Sequence, residues 1–354
     1  MIYVFIFLLM FLAFGISFFT ESIPKEILWG IMYAFIIAMV LIAATKPGTT
    51  ASDYNTYYNI FINYDSIQNE LAIEPTYRWL SRFLNNIHGP FRTVFWVFAI
   101  ISVPLKIYAF KRLSSYDVLF AALPVYLSNF FLLHDCEQIR IAAAMAFVIM
   151  AYALWAEHKK WYWWLGLWSV SILFHYTATV ALFPMILSSR KELSFRRKIV
   201  LICGVFTGAV FWILKVNAIM LIPIPAIQMK MALYEIASSN GEQMESILLY
   251  HPIALLRYAT FFYVLYYSDL ISPHVKGLNV ILTAEALGLA AWGGLAATPV
   301  FAVRISELLQ IPECILFASV FYTTKPQWAA KFYPMAVAMY IFLYGIRINQ
   351  FGYL

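Results

Sequence analysis

Residues 161–188 read WYWWLGLWSVSILFHYTATVALFPMILS, an apolar run whose only ionisable group besides tyrosine is His175. As one helix it would be roughly 42 Å long at 1.5 Å per residue. That is too long for one straight crossing of a hydrocarbon core about 30 Å thick, and too short for two full ones. Three basic loops decide between the options: 106–112 (Lys106, Lys111, Arg112), 157–160 (Lys159, Lys160) and 188–198 (Arg190, Lys191, Arg196, Arg197, Lys198). Lys and Arg collect on the cytoplasmic side of a membrane. The first two loops are separated by two apolar helices and so share a side. The third joins them only if 161–188 enters to half depth, turns near Phe174-His175 and returns. The alternative, a single crossing, strands the strongest basic loop outside. The re-entrant reading is preferred. Broken backbone at that depth is tolerated only inside protein or against a watery cavity. His175 is therefore expected at the floor of a cavity open to the outside.

Working outward, composition fixes the class. The chain is 63% hydrophobic and 12% charged, against about 25% charged for soluble domains. The expected fold is an all-α polytopic membrane protein of about 10–12 transmembrane helices, two of them half-length within 161–188. It forms a single integral domain over 1–354, with extracytoplasmic loops at 46–90 and 223–250. Candidate spans are 2–19, 26–45, 91–110, 118–133, 138–156, 199–222, 252–268, 277–297, 307–323 and 331–346. Residues 1–19 lack a basic leader and a small-residue cleavage site, so they are read as a first span and not a removed signal peptide. The net charge of +6 is scattered over short loops. No basic stripe suits nucleic acid. Cys136, Cys203 and Cys314 have no CxxC or metal-ligand spacing and are read as unpaired packing residues. With no DxD and no His cluster, no metal or cofactor is expected.

Residues 134–140, His-Asp-Cys-Glu-Gln-Ile-Arg, form a charged island between two spans, and Arg140 opens the small-residue run 141–146. Ionisable groups in lipid cost about 2.5–3.5 kcal/mol or more each, which marks them as functional by default. In this topology Arg78, Arg82, Arg92, Arg140, Arg257, Arg304 and Arg347 fall outside, whereas most lysines fall inside. Guanidinium forks bind phosphate and carboxylate bidentately. Arg92 and Arg347 are read as snorkelling to headgroups. In the 46–90 loop, Asp53 and Tyr57 share a helical face. In Glu74-Pro75-Thr76-Tyr77-Arg78, proline suits a first helical turn, and Glu74, Arg78 and Arg82 then share one face with Tyr77, Leu80 and Leu84 on another. This predicts an amphipathic helix at the outer membrane surface, or more simply a solvated helix with an i,i+4 ion pair. Segment 223–250, with Pro223, Pro225 and Asn240-Gly241, reads as a lid or as a plain connection. Tyr54, Tyr57, Tyr58, Tyr64 and Tyr77 offer sugar-stacking faces, although aromatic residues also belt every interface.

These pieces, in this order, resemble the EpsG-type branch of the Wzy-like polysaccharide polymerases. The resemblance rests on Asp53 with Tyr57 and Tyr58, Glu74-Pro75-x-Tyr77, Gln138-Ile139-Arg140, Phe174-His175-x-Thr177-Ala178 and Arg304-Ile305-Ser306, and covers roughly 50–310. It implies a GT-C-like membrane glycosyltransferase that polymerises O-antigen, capsule or exopolysaccharide on the outer face of the bacterial cytoplasmic membrane. Its substrates would be polyprenyl-pyrophosphate-linked oligosaccharides, and a chain-length regulator is a further expected partner. Arg140 and Arg304 are then expected on the pyrophosphate, with Arg78 or Arg257 assisting. Asp53, Glu74 and His175 are the base candidates, and Tyr57, Tyr58, Tyr77 and Gln138 the sugar contacts. Cys136-Glu137 makes the island more acidic than the family pattern, and Glu137 is expected to hold Arg140 in an ion pair. The rival readings are a decorating acyl- or glycosyltransferase and a lipid-linked-sugar transporter. Residues 1–40 contain no Arg or His, which disfavours an acyltransferase. No internal repeat supports a transporter, although Glu285, expected to reach Arg257 or Lys215, is a residue a proton-coupled carrier would use.

Overall fold

The computed structural model describes residues 2–46, 53–66, 73–189, 193–216 and 247–348. The 223–250 segment lies outside the described residues except for its last four. Among the described residues the chain is helical, with one isolated bridge between Ser114 and Val275. Among the described residues five helices are long and apolar enough to cross a membrane: Lys25–Thr45, Arg92–Leu113, Tyr116–Asp135, Ile139–Ala156 and Gln327–Arg347. Five more are apolar but shorter, among them Ile2–Ser17, Pro252–Tyr266 and Leu278–Gly294. The protein is a polytopic all-α membrane protein.

The helix that begins at Tyr116 is apolar on every side, so it must be surrounded by protein. It is buried along its length and packs against Ile2–Ser17, Glu313–Ser319 and Phe332–Arg347. Pro124 lies inside it, where a missing N–H disturbs the α ladder. From Leu127 to Asp135 the chain continues as a π-helix, a geometry concentrated at functional sites. Elsewhere two backbones touch. A Cβ on Gly208 would lie 2.4 Å from the Ala290 carbonyl oxygen. Helices Phe195–Ile213 and Leu278–Gly294 therefore cross at a spacing only glycine allows.

One end of the bundle gathers the basic loops. Arg112 forks onto Glu157, with Nε donating to Oε1 at 2.8 Å. The Lys276 backbone N–H donates to the Leu113 carbonyl at 2.7 Å, and Asn279 Nδ2 donates to the Ser189 carbonyl at 3.0 Å. Trp155, Ser189, Leu193 and Lys276 line one cavity there. Residues 112–114, 155–157, 189–193 and 275–279 are thus at the same end.

It follows that 161–188 starts and finishes at that end. The Trp161–Phe174 helix rises, His175 is extended (φ −157°, ψ 123°), and the chain returns through a 3₁₀ turn, Tyr176–Ala181, and the helix Leu182–Leu187. Trp168 Nε1 donates to the Ala178 carbonyl at 3.0 Å. In a continuous helix those residues would be roughly 15 Å apart, so the contact requires a reversal.

Two features depart from the sequence reading. Lys106 is no loop residue: it is fully buried inside the Arg92–Leu113 helix. The expected span 307–323 breaks at Ile311-Pro312, with Pro299–Gln310 before it and Glu313–Ser319 after it. Arg304 consequently stands on a helix and not in a loop.

Candidate active site

The site is built where three interrupted elements meet at the end opposite the basic loops. The first is the start of the Ile139–Ala156 helix, which carries Arg140 in its first turn. A cation there opposes the helix dipole and needs an acidic partner. That partner is not the neighbouring Glu137 but Glu74, whose Oε2 accepts from the Arg140 guanidinium.

Glu74 owes its position to Pro75. The residue before a proline is pushed into extended backbone, and Glu74 has φ −63° and ψ 146°. It flanks the Pro75–Asn86 helix without capping it. Its carboxylate turns to the bundle instead, only 3% of the residue being exposed. The other oxygen, Oε1, lies 2.5 Å from His175 Nδ1. His175 is the break of the re-entrant segment, and Thr76 Oγ1 secures the same break by donating to the Leu173 carbonyl at 2.8 Å.

Burial alone would raise the Glu74 pKa, but the Arg140 guanidinium and the His175 hydrogen bond outweigh burial and hold it at about 2. Glu74 is ionised at neutral pH and can only accept hydrogen bonds. Nδ1 of His175 therefore carries the hydrogen, leaving Nε2 as the basic nitrogen.

Aromatic rings wall this junction. The Arg140 guanidinium sits 5.6 Å from the Tyr57 ring centroid. Tyr77 is fully buried, donates to the Tyr57 carbonyl at 2.8 Å and packs on its ring. Tyr58, 45% exposed, stacks edge-on against Phe91. Arg304 is exposed and within electrostatic range of His175. Arg78 is half-buried and acts on Tyr176, the residue after His175. Asp53 is half-buried beside Tyr57. Gln138 is not on the Glu74 carboxylate: its Oε1 lies 3.2 Å from His134 Nδ1.

Arg257 is placed apart from this group. Its guanidinium spans Glu313, with Nε 2.8 Å from Oε2 and Nη2 3.0 Å from Oε1. Glu285 meets Gln310 Nε2 at 3.1 Å, and Lys215 is exposed. His134 approaches Glu307 at 3.5 Å.

Sequence reasoning missed a neighbouring network entirely. Asp135 accepts from Ser102 Oγ, from Lys106 Nζ at 2.8 Å and from Tyr126 Oη at 2.7 Å. All four groups are buried. A lysine seven residues inside a helix end was the available signal, hidden by Lys111 and Arg112 nearby. Among the described residues no group of His, Cys, Asp and Glu is arranged to hold a metal ion.

The chain is thus an all-α membrane bundle with a His–Glu–Arg junction beside the Pro75–Asn86 helix. More particularly, the sequence matches the EpsG family over residues 26–353, and the chain belongs to that family. Membership carries a general role in polysaccharide polymerisation. No curated protein and no solved structure gives a significant match.

Proposed function

We propose that the chain is the polymerase that transfers a growing glycan from polyprenyl pyrophosphate onto a lipid-linked oligosaccharide repeat unit, at the outer face of the bacterial cytoplasmic membrane. The observation that carries this reading is the single carboxylate of Glu74 holding both Arg140 and His175. Such an arrangement sets a general base beside an anion-binding group in a site away from bulk water.

In this mechanism the acceptor hydroxyl oxygen attacks the anomeric carbon of the donor sugar, and the bond from that carbon to the pyrophosphate oxygen breaks. His175 Nε2 takes the hydroxyl proton. Charge growing on the departing pyrophosphate is met by Arg140 and Arg304, with Arg78 at the rim. Glu74 is assigned to orienting the other two: with both oxygens engaged and a pKa near 2, it is a poor proton acceptor. Asp53 remains the alternative base. Tyr57 and Tyr77 shape the wall, and exposed Tyr58 is the ring that offers a stacking face to sugar. Arg257, clamped on Glu313, assists at most through the field.

The test is the length profile of surface polysaccharide in cells lacking the gene, restored with wild type or Arg140→Ala. Single repeat units on the lipid in the deletion, with a ladder returned by wild type only, are expected. A full ladder lacking a side group would point to a decorating transferase instead. The sidedness is tested separately: a membrane-impermeant thiol reagent applied outside should leave Ser194→Cys unlabelled.

A further inference from the structure

Lys46 follows the Lys25–Thr45 helix at the end where the site lies. Only 6% of the residue is exposed, and Nζ has no hydrogen-bond partner. Its ammonium lies 5.1 Å from the centroid of the Phe95 ring. That ring is shared: Tyr54 stacks on it at 5.6 Å and Tyr57 meets it edge-on at 6.2 Å. Arg140 covers Tyr57 in turn. Lys46 and Arg140 are therefore two cations flanking one aromatic cluster. Arg140 has its carboxylate, Glu74. Lys46 has Glu137 and Asp53 within electrostatic range, and neither hydrogen-bonds to it.

A buried ammonium needs its N–H groups satisfied, since desolvation penalises an unpaired charge far more than a ring face returns. Three unpaired donors beside this aromatic cluster, just past the end of a helix, suit an oxyanion, and lysine binds phosphate as a point charge. We propose that Lys46 is a second anion-binding residue, which takes the pyrophosphate headgroup of a lipid-linked substrate on the side of the aromatic cluster away from Arg140. This rests on the polymerase reading for the identity of the anion. It gives a reaction between two pyrophosphate-bearing lipids a separate cation for each headgroup.

The experiment is thermal unfolding of the purified full-length protein in detergent, wild type against Lys46→Met and Lys46→Arg, with polyprenyl pyrophosphate, inorganic pyrophosphate or neither. Without ligand, Lys46→Met should melt no lower than wild type, because an unsatisfied buried charge has been replaced by an apolar chain of similar length. Polyprenyl pyrophosphate should raise the wild-type midpoint and bind Lys46→Met at least about tenfold more weakly, the worth of a charged hydrogen bond. Lys46→Arg should keep most of the response. Equal responses from wild type and Lys46→Met would overturn the inference and leave the polymerase reading standing. A wild type that answers inorganic pyrophosphate but not the lipid form, with Lys46→Met answering neither, would keep the anion site and remove the polymerase reading. A Lys46→Met that melts well below wild type yet responds normally would make Lys46 a structural residue and overturn the inference.

Discussion

Asp135 and Arg140 are near neighbours in sequence, and each anchors a buried ion cluster, but the two clusters are built to opposite plans. Around Asp135 the donors converge: Lys106, Ser102 and Tyr126 each give a hydrogen bond to one carboxylate, and none is exposed to solvent. Around Arg140 the cluster is left open. Glu74 is fully spent, yet Arg140 Nε has no acceptor, and His175 keeps Nε2 for another partner. Fully satisfied networks fix a structure. Partly satisfied ones are costly to keep and are characteristic of sites that wait for a ligand. Depth alone does not make a buried charge functional; its unspent hydrogen-bonding capacity does.

The largest effect that would sharpen this contrast is on the closed cluster. Lys106→Met leaves the Asp135 charge buried without its ion partner, which costs about 3–5 kcal/mol. Loss of folded protein from the membrane is expected, with Lys106→Met/Asp135→Leu recovering much of it. If the single variant accumulated normally and lost only turnover, the two clusters would not differ as described. Arg140→Ala also leaves the Glu74 carboxylate without its ion partner, so accumulation should fall in part, but polymerisation per folded molecule should drop about 100- to 1,000-fold, the usual loss for one preorganised charge-stabilising donor. Arg140→Lys should recover little, since the guanidinium serves Glu74 and substrate together.

His175→Ala is expected to lose about 100-fold in turnover with little change in substrate affinity. A loss confined to affinity would return the role of base to Asp53.

The pH dependence of stability gives a smaller test. Glu74 falls from an ordinary 4.5 to about 2 in the folded protein. A depressed carboxylate pKa stabilises the fold above the unfolded value, and that contribution is lost as pH drops through the folded one. Thermal midpoints should therefore fall between pH 4.5 and 2, and Glu74→Gln should flatten that part of the curve. An unchanged curve would separate Glu74 from Arg140 and His175. The smallest effect is expected for Tyr58→Ala: a few-fold weaker apparent substrate affinity in a polymerisation assay, with no change in stability.

The sequence made part of this legible. A run too long for one span and too short for two, set against the basic loops, was enough to predict the reversal at His175. The chemistry of Arg140, His175 and Glu74 marked them separately. Their meeting was not visible, because Glu74 lies 66 residues from Arg140 and 101 from His175. The charge next door, Glu137, took the pairing in the sequence reading, since proximity along the chain was the only distance there to use. Lys106 was misplaced for a related reason. Positive residues near a helix end usually mark a loop, and only an acid on another helix shows that this one is inside. The break at Ile311-Pro312 was hidden because the apolar pattern runs through it.

The re-entrant hairpin has a consequence for how the chain is made. Until it is packed against other helices, a segment that reverses at His175 exposes backbone carbonyls and a histidine that hydrocarbon cannot accept. It has no stable resting place in lipid while the nascent chain is being threaded. The surfaces that receive it are Ile139–Ala156, already synthesised, and Leu278–Gly294 and Pro299–Gln310, which are not. Its settling therefore waits for the last third of the chain, and chains truncated before residue 310 should fail to bury it. The junction of Glu74, Arg140 and His175 would be the last part of the molecule to form.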